Sequence, residues 1–221
     1  MDNLESITEK LRAQLDDTNQ AREKALKLSR EAVRLSANSI RATHREDFDK
    51  ACELKAQARQ RVQDVKDSLG NNGEVYYTGY VQDGQKEYAE SELTYAIVRE
   101  MELPQPEDIG VEPPAYLNGL AEAIGESRRH ALDVLRQGDL DRAERILNIM
   151  DEVYYTLITF DYPDAVTQGL RRQTDMVRGV LERTRADVTL LQQQRKLERS
   201  IENAIGRLCN GSDTGDSQEG N

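Results

Sequence analysis

Apolar residues recur every three to four positions along most of the chain, in narrow stripes separated by charged residues, which is the period of amphipathic helices and leaves no room for a buried sheet. The first helical region is predicted to begin near Ser6, where Ser6 and Glu9 have the spacing of a capping box, and to run to about Leu69 with a break near Glu46 and Asp47. The stretch 70–85, GNNGEVYYTGYVQDGQ, is rich in glycine and asparagine and carries Tyr76, Tyr77 and Tyr80, so it reads as a loop or short hairpin. Helix resumes from about Lys86 to Glu102 and stops at the Pro104 and Pro106 segment. A new helix starts at Pro113 and Pro114 and runs to about Gln137. Gly138 suits a C-terminal cap and Asp139 an N-cap, so another helix is expected from Asp139 to Phe160, followed by a turn over Asp161, Tyr162, Pro163 and Asp164.

From Ala165 to about Leu208 the chain is helix-forming, weakened only at Gly169, Gly179 and Gly206, and an unbroken helix there would reach about 65 Å. A helix of that length needs partners along its face. Residues 209–221 have the composition of a disordered polar tail, which leaves one all-α domain over residues 1–208. No internal repeat is present.

Composition adds two constraints. Apolar residues make up only 37% of the 221 and charged residues 32%, so single helices bury little and assembly through helix faces is expected, giving a homo-oligomer. The net charge of −11 excludes nonspecific nucleic-acid binding by a generally basic surface, although a local basic cluster can still grip phosphates. Only eight of the 30 basic residues are lysine. That acidic, lysine-poor balance points to a salt-rich, halophilic cytoplasm, and stability should then rise with KCl. Cys52 and Cys209 stand 157 positions apart without a Cys or His at ligand spacing, which argues against a thiolate zinc site and for a reducing compartment. Neither a membrane span nor the charged and apolar regions of a signal peptide can be read, so a cytoplasmic location is expected and no membrane partner.

Candidate chemistry lies in two carboxylate pairs. On the helix from Lys86, Leu93, Ala96, Ile97, Val98 and Met101 form a broad apolar face with Glu90 inside it and Glu87 at its edge. A carboxylate in such a stripe is costly to bury without a cation or donor, whereas Glu92 on the opposite side needs no such explanation. On the next helix, Glu122 and Glu126 lie opposite the face formed by Leu117, Leu120, Ile124, Ala131 and Leu135, and by periodicity alone they read as a salt-bridged surface. Arg30, Arg34, Arg41, His44 and Arg45 fall within about 100° on a helical wheel, a stripe that suits phosphate tracking or pairing with acids at an interface. There is no phosphate loop and no dinucleotide fingerprint, and neither His44 nor His130 has a glutamate three residues before it, as a di-iron carboxylate bundle requires. His130 reads as an ordinary surface histidine.

Four blocks in order resemble the translin family, and more specifically its archaeal members related to translin-associated factor X. They are SREAVRLSANSIRATHREDFDKA from Ser29 to Ala51, QKEYAES from Gln85 to Ser91, YLNGLAEAIGESRRHALDVLRQGDLDRAE from Tyr116 to Glu144, and LRRQTDMVRGVLERTRADVT from Leu170 to Thr189. The resemblance covers nearly the whole chain apart from the tail. It implies a single seven-helix all-α bundle that assembles into an octameric shell and binds single-stranded RNA or DNA on its interior. It also implies a magnesium-dependent endoribonuclease acting on single-stranded RNA. The family's Glu-x-x-Glu pair falls on Glu87 and Glu90, and its Asp-x-x-x-Glu pair, after Tyr-Leu-x-Gly, falls on Glu122 and Glu126 behind Tyr116, Leu117 and Gly119. The departure is Glu122, where the enzyme of the family carries aspartate. Glutamate keeps the charge and the oxygen ligand and extends the reach by one methylene.

On this resemblance Glu87, Glu90, Glu122 and Glu126 are the expected catalytic acids and the ligands of Mg²⁺ or Mn²⁺. Arg30, Arg34, Arg41, His44 and Arg45 are the expected nucleic-acid contacts. Two other readings stay open: a noncatalytic oligomer that binds single-stranded nucleic acid in the manner of translin itself, and a purely structural helical scaffold.

Overall fold

The computed structural model describes residues 3–69, 76 and 78–211. Eight helices are found among these residues: α1 (Leu4–His44), α2 (Phe48–Leu69), α3 (Gly79–Val98), α4 (Pro106–Ile109), α5 (Pro113–Arg136), α6 (Leu140–Leu157), α7 (Asp164–Thr167) and α8 (Leu170–Gly211). Six are long and two, α4 and α7, are single turns of four residues, close to the seven that were expected. No strand occurs among the described residues, so the all-α expectation holds.

Local chemistry accounts for most of the boundaries. The break after α1 is made at Glu46, whose φ of 61° reverses the chain, and Asp47 then caps α2 by accepting the Lys50 N–H at 3.3 Å. Gly138, at φ 83°, turns the chain out of α5, and the Asp139 carboxylate accepts the Arg142 N–H at 3.0 Å to open α6. Replacing Asp139 with alanine leaves that N–H without its cap. The expected cost is about 1 kcal/mol, readable as a lower urea midpoint with an unchanged slope.

Several boundaries differ from expectation. α1 begins at Leu4 with Asn3 at the N-cap and no side-chain cap bond, so Ser6 and Glu9 lie within the helix and form no capping box. α3 begins at Gly79, seven residues before Lys86, so a hairpin over 70–85 is ruled out in its second half. Val81, Gly84 and Gln85 in that part are buried against neighbouring helices, a tertiary gain that overrides two weak helix formers. The first part of that stretch lies outside the described residues except for Tyr76. α3 ends at Val98 instead of Glu102, and Met101 is left 56% exposed, outside the apolar face assigned to it. The long C-terminal helix starts at Leu170, because Gln168 and Gly169 both adopt positive φ, and it continues to Gly211. The remainder of the expected tail, from residue 212, lies outside the described residues.

The helices pack as a sequence of neighbours, with α1 on α2 and α3, α3 on α5, α5 on α6 and α8, and α6 on α8. The main core collects Tyr88, Leu93 and Ile97 from α3, Leu120, Ile124 and Val134 from α5, Ile146 and Met150 from α6, and Val177, Leu181 and Val188 from α8. A smaller cluster of Ala25, Val65, Leu69 and Val81 closes the other end. Glu92 is largely enclosed; it takes a hydrogen bond from Lys55 at 2.8 Å and one from the Tyr88 hydroxyl at 3.0 Å, tying α2 to α3.

Both terminal helices outrun this core. Residues 4–20 of α1 are exposed, with Leu4, Ile7, Leu11 and Leu15 at helical spacing, and the far half of α8 exposes Leu190, Leu197, Ile201 and Ile205 in the same way. No described helix is long and apolar enough to cross a membrane.

Candidate metal centre and nucleic-acid face

The acids are brought together by a close crossing of α3 and α5. A Cβ at Gly119 would lie 2.8 Å from the Lys86 carbonyl oxygen, 2.9 Å from the Ala89 Cβ and 3.0 Å from the Glu90 nitrogen, so at this point α5 presents backbone to backbone. Glu87 and Glu90 flank Ala89 on α3, and Glu122 follows Gly119 by three residues, nearly one turn, on α5. Ligand oxygens of Glu87, Glu90 and Glu122 consequently lie within 4.8 Å of one another, all three residues partly buried.

These carboxylates have unequal surroundings. Lys86 Nζ donates to Glu122 Oε1 at 2.8 Å and sits 3.5 Å from Glu87 Oε1. Gln173, from α8, donates to the same Glu122 oxygen at 2.9 Å. Glu90 is joined to no donor among the described residues. Burial first, then the charges of Glu87, Glu122 and Glu126, push its carboxyl up to about 8, with Lys86 pulling only weakly the other way. Glu87 is also raised, chiefly by burial. For Lys86, burial works against the charge, but the hydrogen bond and charge of Glu122, with Glu87 and Asp83, outweigh it and hold the ammonium above its ordinary value.

Glu126 belongs to the same face and has its own partner. Its Oε2 accepts from His44 Nε2 at 2.5 Å, with Arg129 3.9 Å away, and the His44 bond is the main reason its carboxyl is lowered. Glu122 and Glu126 are therefore not the solvated surface that periodicity alone suggested; their side chains are 20% and 28% exposed, turned toward α3 and α1.

The basic stripe divides in two. Arg30, Arg34, Arg41 and Arg45 are exposed along α1 and its C-cap, with Arg41 also donating to Asn38 at 2.8 Å. His44 does not share that solvent-facing side: its side chain is 3% exposed and bound to Glu126, so it joins the stripe to the acids. His130 is buried, contrary to the surface position expected of it; burial, followed by the charges of Arg142 and His44, lowers its pKa.

Hard oxygen donors this close together suit Mg²⁺ or Mn²⁺, and the partnerless Glu90 carboxylate is the part of the cluster that most lacks a cation. Two residues escaped the sequence reading. Lys86 was hidden as one more charge beside Glu87. Gln173 stands on the inner side of α8 between buried Leu170 and Val177, so a polar residue within an apolar stripe was the available signal, as it was for Glu90.

No family model matches the chain. An uncharacterized protein of Methanocaldococcus jannaschii, MJ0175, is 34% identical over 190 residues, covering 85% of this chain and 83% of that one. Among solved structures, AfC3PO is similar at 33% identity and a TM-score of 0.78, covering 85% of this chain and 98% of its own. A complex of AfC3PO with duplex RNA is similar at 33% identity and a TM-score of 0.76, over 85% and 97%. Apo-NeC3PO, at 21% identity and a TM-score of 0.70 over 86% and 97%, shares the fold. Near-complete coverage by these relatives, together with the four sequence blocks in order, means that the chain belongs to the translin family.

Proposed function

We propose that this chain binds RNA and cleaves single-stranded RNA with the help of Mg²⁺ or Mn²⁺ held by Glu87, Glu90 and Glu122. The observation that carries this reading is Glu90, a part-buried carboxylate with two acidic neighbours and no donor of its own. When bound there, a divalent ion supplies Lewis acidity toward a phosphoryl oxygen and an acidified water. The chain supplies the rest. Gln173 orients Glu122, His44 fixes the fourth acid, Glu126, and the exposed arginines of α1 grip the phosphate backbone. The similarity to AfC3PO, solved in complex with duplex RNA, supports RNA as the ligand class.

The uncovered apolar stripes at the ends of α1 and α8 support self-association into a homo-oligomer, for which the family resemblance supplies the octamer. A second reading, a noncatalytic RNA-binding oligomer, is favoured by one observation: Glu122 is already satisfied by Lys86 and Gln173 without any ion.

Labelled single-stranded and duplex RNA incubated with the protein, with and without Mn²⁺ or Mg²⁺, separate the two. Cleavage of the single strand only with ion supports the nuclease, while binding without cleavage supports the second reading. Cleavage that persists in EDTA would exclude the metal mechanism. For the basic stripe, Arg34→Ala with Arg41→Ala is expected to weaken RNA binding and to flatten the plot of log affinity against log salt by about 1 to 2 units, since each lost phosphate contact removes roughly 0.7 to 0.9. An unchanged slope removes the stripe from the interface.

A further inference from the structure

The lysine in the carboxylate cluster has a place of its own. Lys86 Nζ lies against Glu122 and Glu87, two of the three acids whose oxygens converge, while Glu90 is left without a donor. We propose that the Lys86 ammonium is a built-in counter-ion that bridges Glu122 and Glu87 until a divalent cation displaces it, so that Lys86 sets the ion concentration at which the centre fills. The inference rests on the metal reading above and concerns a residue outside the ligand set.

Three features carry it. An ammonium has a single charge, so against three acids it leaves the cluster net negative, and Glu90 remains for an ion of higher charge. The ammonium and a divalent ion within a few ångströms of each other would repel strongly, so the two states exclude one another. The lysine stem is flexible and its side chain 21% exposed, which gives the ammonium a way out toward solvent. Gln173 gives Glu122 a second anchor during the exchange: it is neutral, comes from α8, and donates to the same Glu122 oxygen as Lys86.

The arrangement also selects for charge. A tethered ammonium acts at an effective concentration in the millimolar range or above. Free monovalent ions must compete with it for the same oxygens at equal charge, whereas a divalent ion gains twice the attraction. In an acidic chain with only eight lysines among 30 basic residues, placing one of them here favours Mn²⁺ or Mg²⁺ over K⁺.

The test is Mn²⁺ binding to the full chain by calorimetry, with thermal unfolding in EDTA and in saturating Mn²⁺. Lys86→Met is expected to bind Mn²⁺ at least about tenfold more tightly and to lose discrimination against K⁺. It should unfold at lower temperature than the parent in EDTA and recover that difference in Mn²⁺. Lys86→Arg, which keeps the charge, should retain the weaker parental affinity, and Arg129→Met, which removes a charge at the rim beside Glu126, should change it little. If Lys86→Met does not fold, Lys86→Gln serves in its place. Parental affinity in the neutral variants, equal tightening by Arg129→Met, or an unfolding deficit that persists in Mn²⁺ would each overturn the counter-ion role while leaving the metal centre standing. Failure of both the parent and the neutral variants to bind Mn²⁺ would instead remove the metal reading, and this inference with it.

Discussion

Glu90→Gln should make the protein more stable and inactive at once. In the folded chain this carboxyl is pushed up to about 8 from an ordinary value of 4.5, by burial first and then by Glu87, Glu122 and Glu126. Between those two values the folded state holds a proton that the unfolded state has released, so the contribution of Glu90 to stability falls as pH rises from about 5 to about 8 and levels off above that. Glutamine cannot ionise. The variant should lose that part of the pH dependence and gain about 1–3 kcal/mol at pH 9 in EDTA from relief of a repelled, part-buried charge. For the same reason ion binding by the parent should strengthen with pH, by up to about tenfold per unit below pH 8, because the ion must displace that proton. Loss of a ligand should weaken Mn²⁺ binding by more than the roughly 10- to 100-fold typical of outer-shell partners. Urea unfolding from pH 5 to 9 and Mn²⁺ titration over the same range provide both readouts. A destabilised Glu90→Gln, or one that binds Mn²⁺ as the parent does, contradicts this account of the centre.

Gly119→Ala should be the most damaging single methyl group in the molecule's site. In an open helix position the change from glycine to alanine normally stabilises by about 0.5–1 kcal/mol. At Gly119 the added carbon would meet the Lys86 carbonyl oxygen at 2.8 Å and the Glu90 nitrogen at 3.0 Å, and backbone atoms cannot turn aside as a flexible side chain can. α3 and α5 must move apart, at an expected cost of about 1–3 kcal/mol, or roughly 3–10 °C in Tm for a chain of this size. Separation carries Glu87 and Glu90 away from Glu122, so Mn²⁺ affinity should fall together with stability. Gly125→Ala on the same helix is the control, since nothing lies within 4 Å of its added carbon. Equal effects of the two substitutions would mean that the crossing does not position the acids.

The helical fold was readable because its evidence is local. The break at Glu46, the Gly138 and Asp139 pair and the Pro113 start are each written in one or two residues, and each appears where the spacing placed it. The start of α3 was not readable, because Gly79 and Gly84 are poor helix formers and the helix is held there by packing that only the folded chain supplies, as where Ser29 lies 3.3 Å from a Cβ placed on buried Gly84. Positive φ at Gln168 gave no sequence warning either, since glutamine rarely adopts it. In the site, Glu90 stood out because it interrupts an apolar stripe. Glu122 and Glu126 did not, because the face they occupy is polar along its own helix and becomes interior only when α3 and α1 are laid against it. Periodicity reports how one helix divides its surface and is silent on which neighbour covers the polar side. Family resemblance supplied that pairing, and the geometry then added Lys86 and Gln173, which neither had singled out.

The uncovered ends of α1 and α8 have a consequence for how the chain holds its shape. A helical segment of about 12–15 residues is at the margin of stability in water, and residues 4–20 are exposed along their whole length, with little burial to add to it. The amide protons of these arms should therefore exchange with solvent independently of the core, through local fraying that leaves α3 and α5 closed. Whatever buries the leucine and isoleucine stripes then lends the arms their order, and helix content becomes a property of the assembly as much as of the chain.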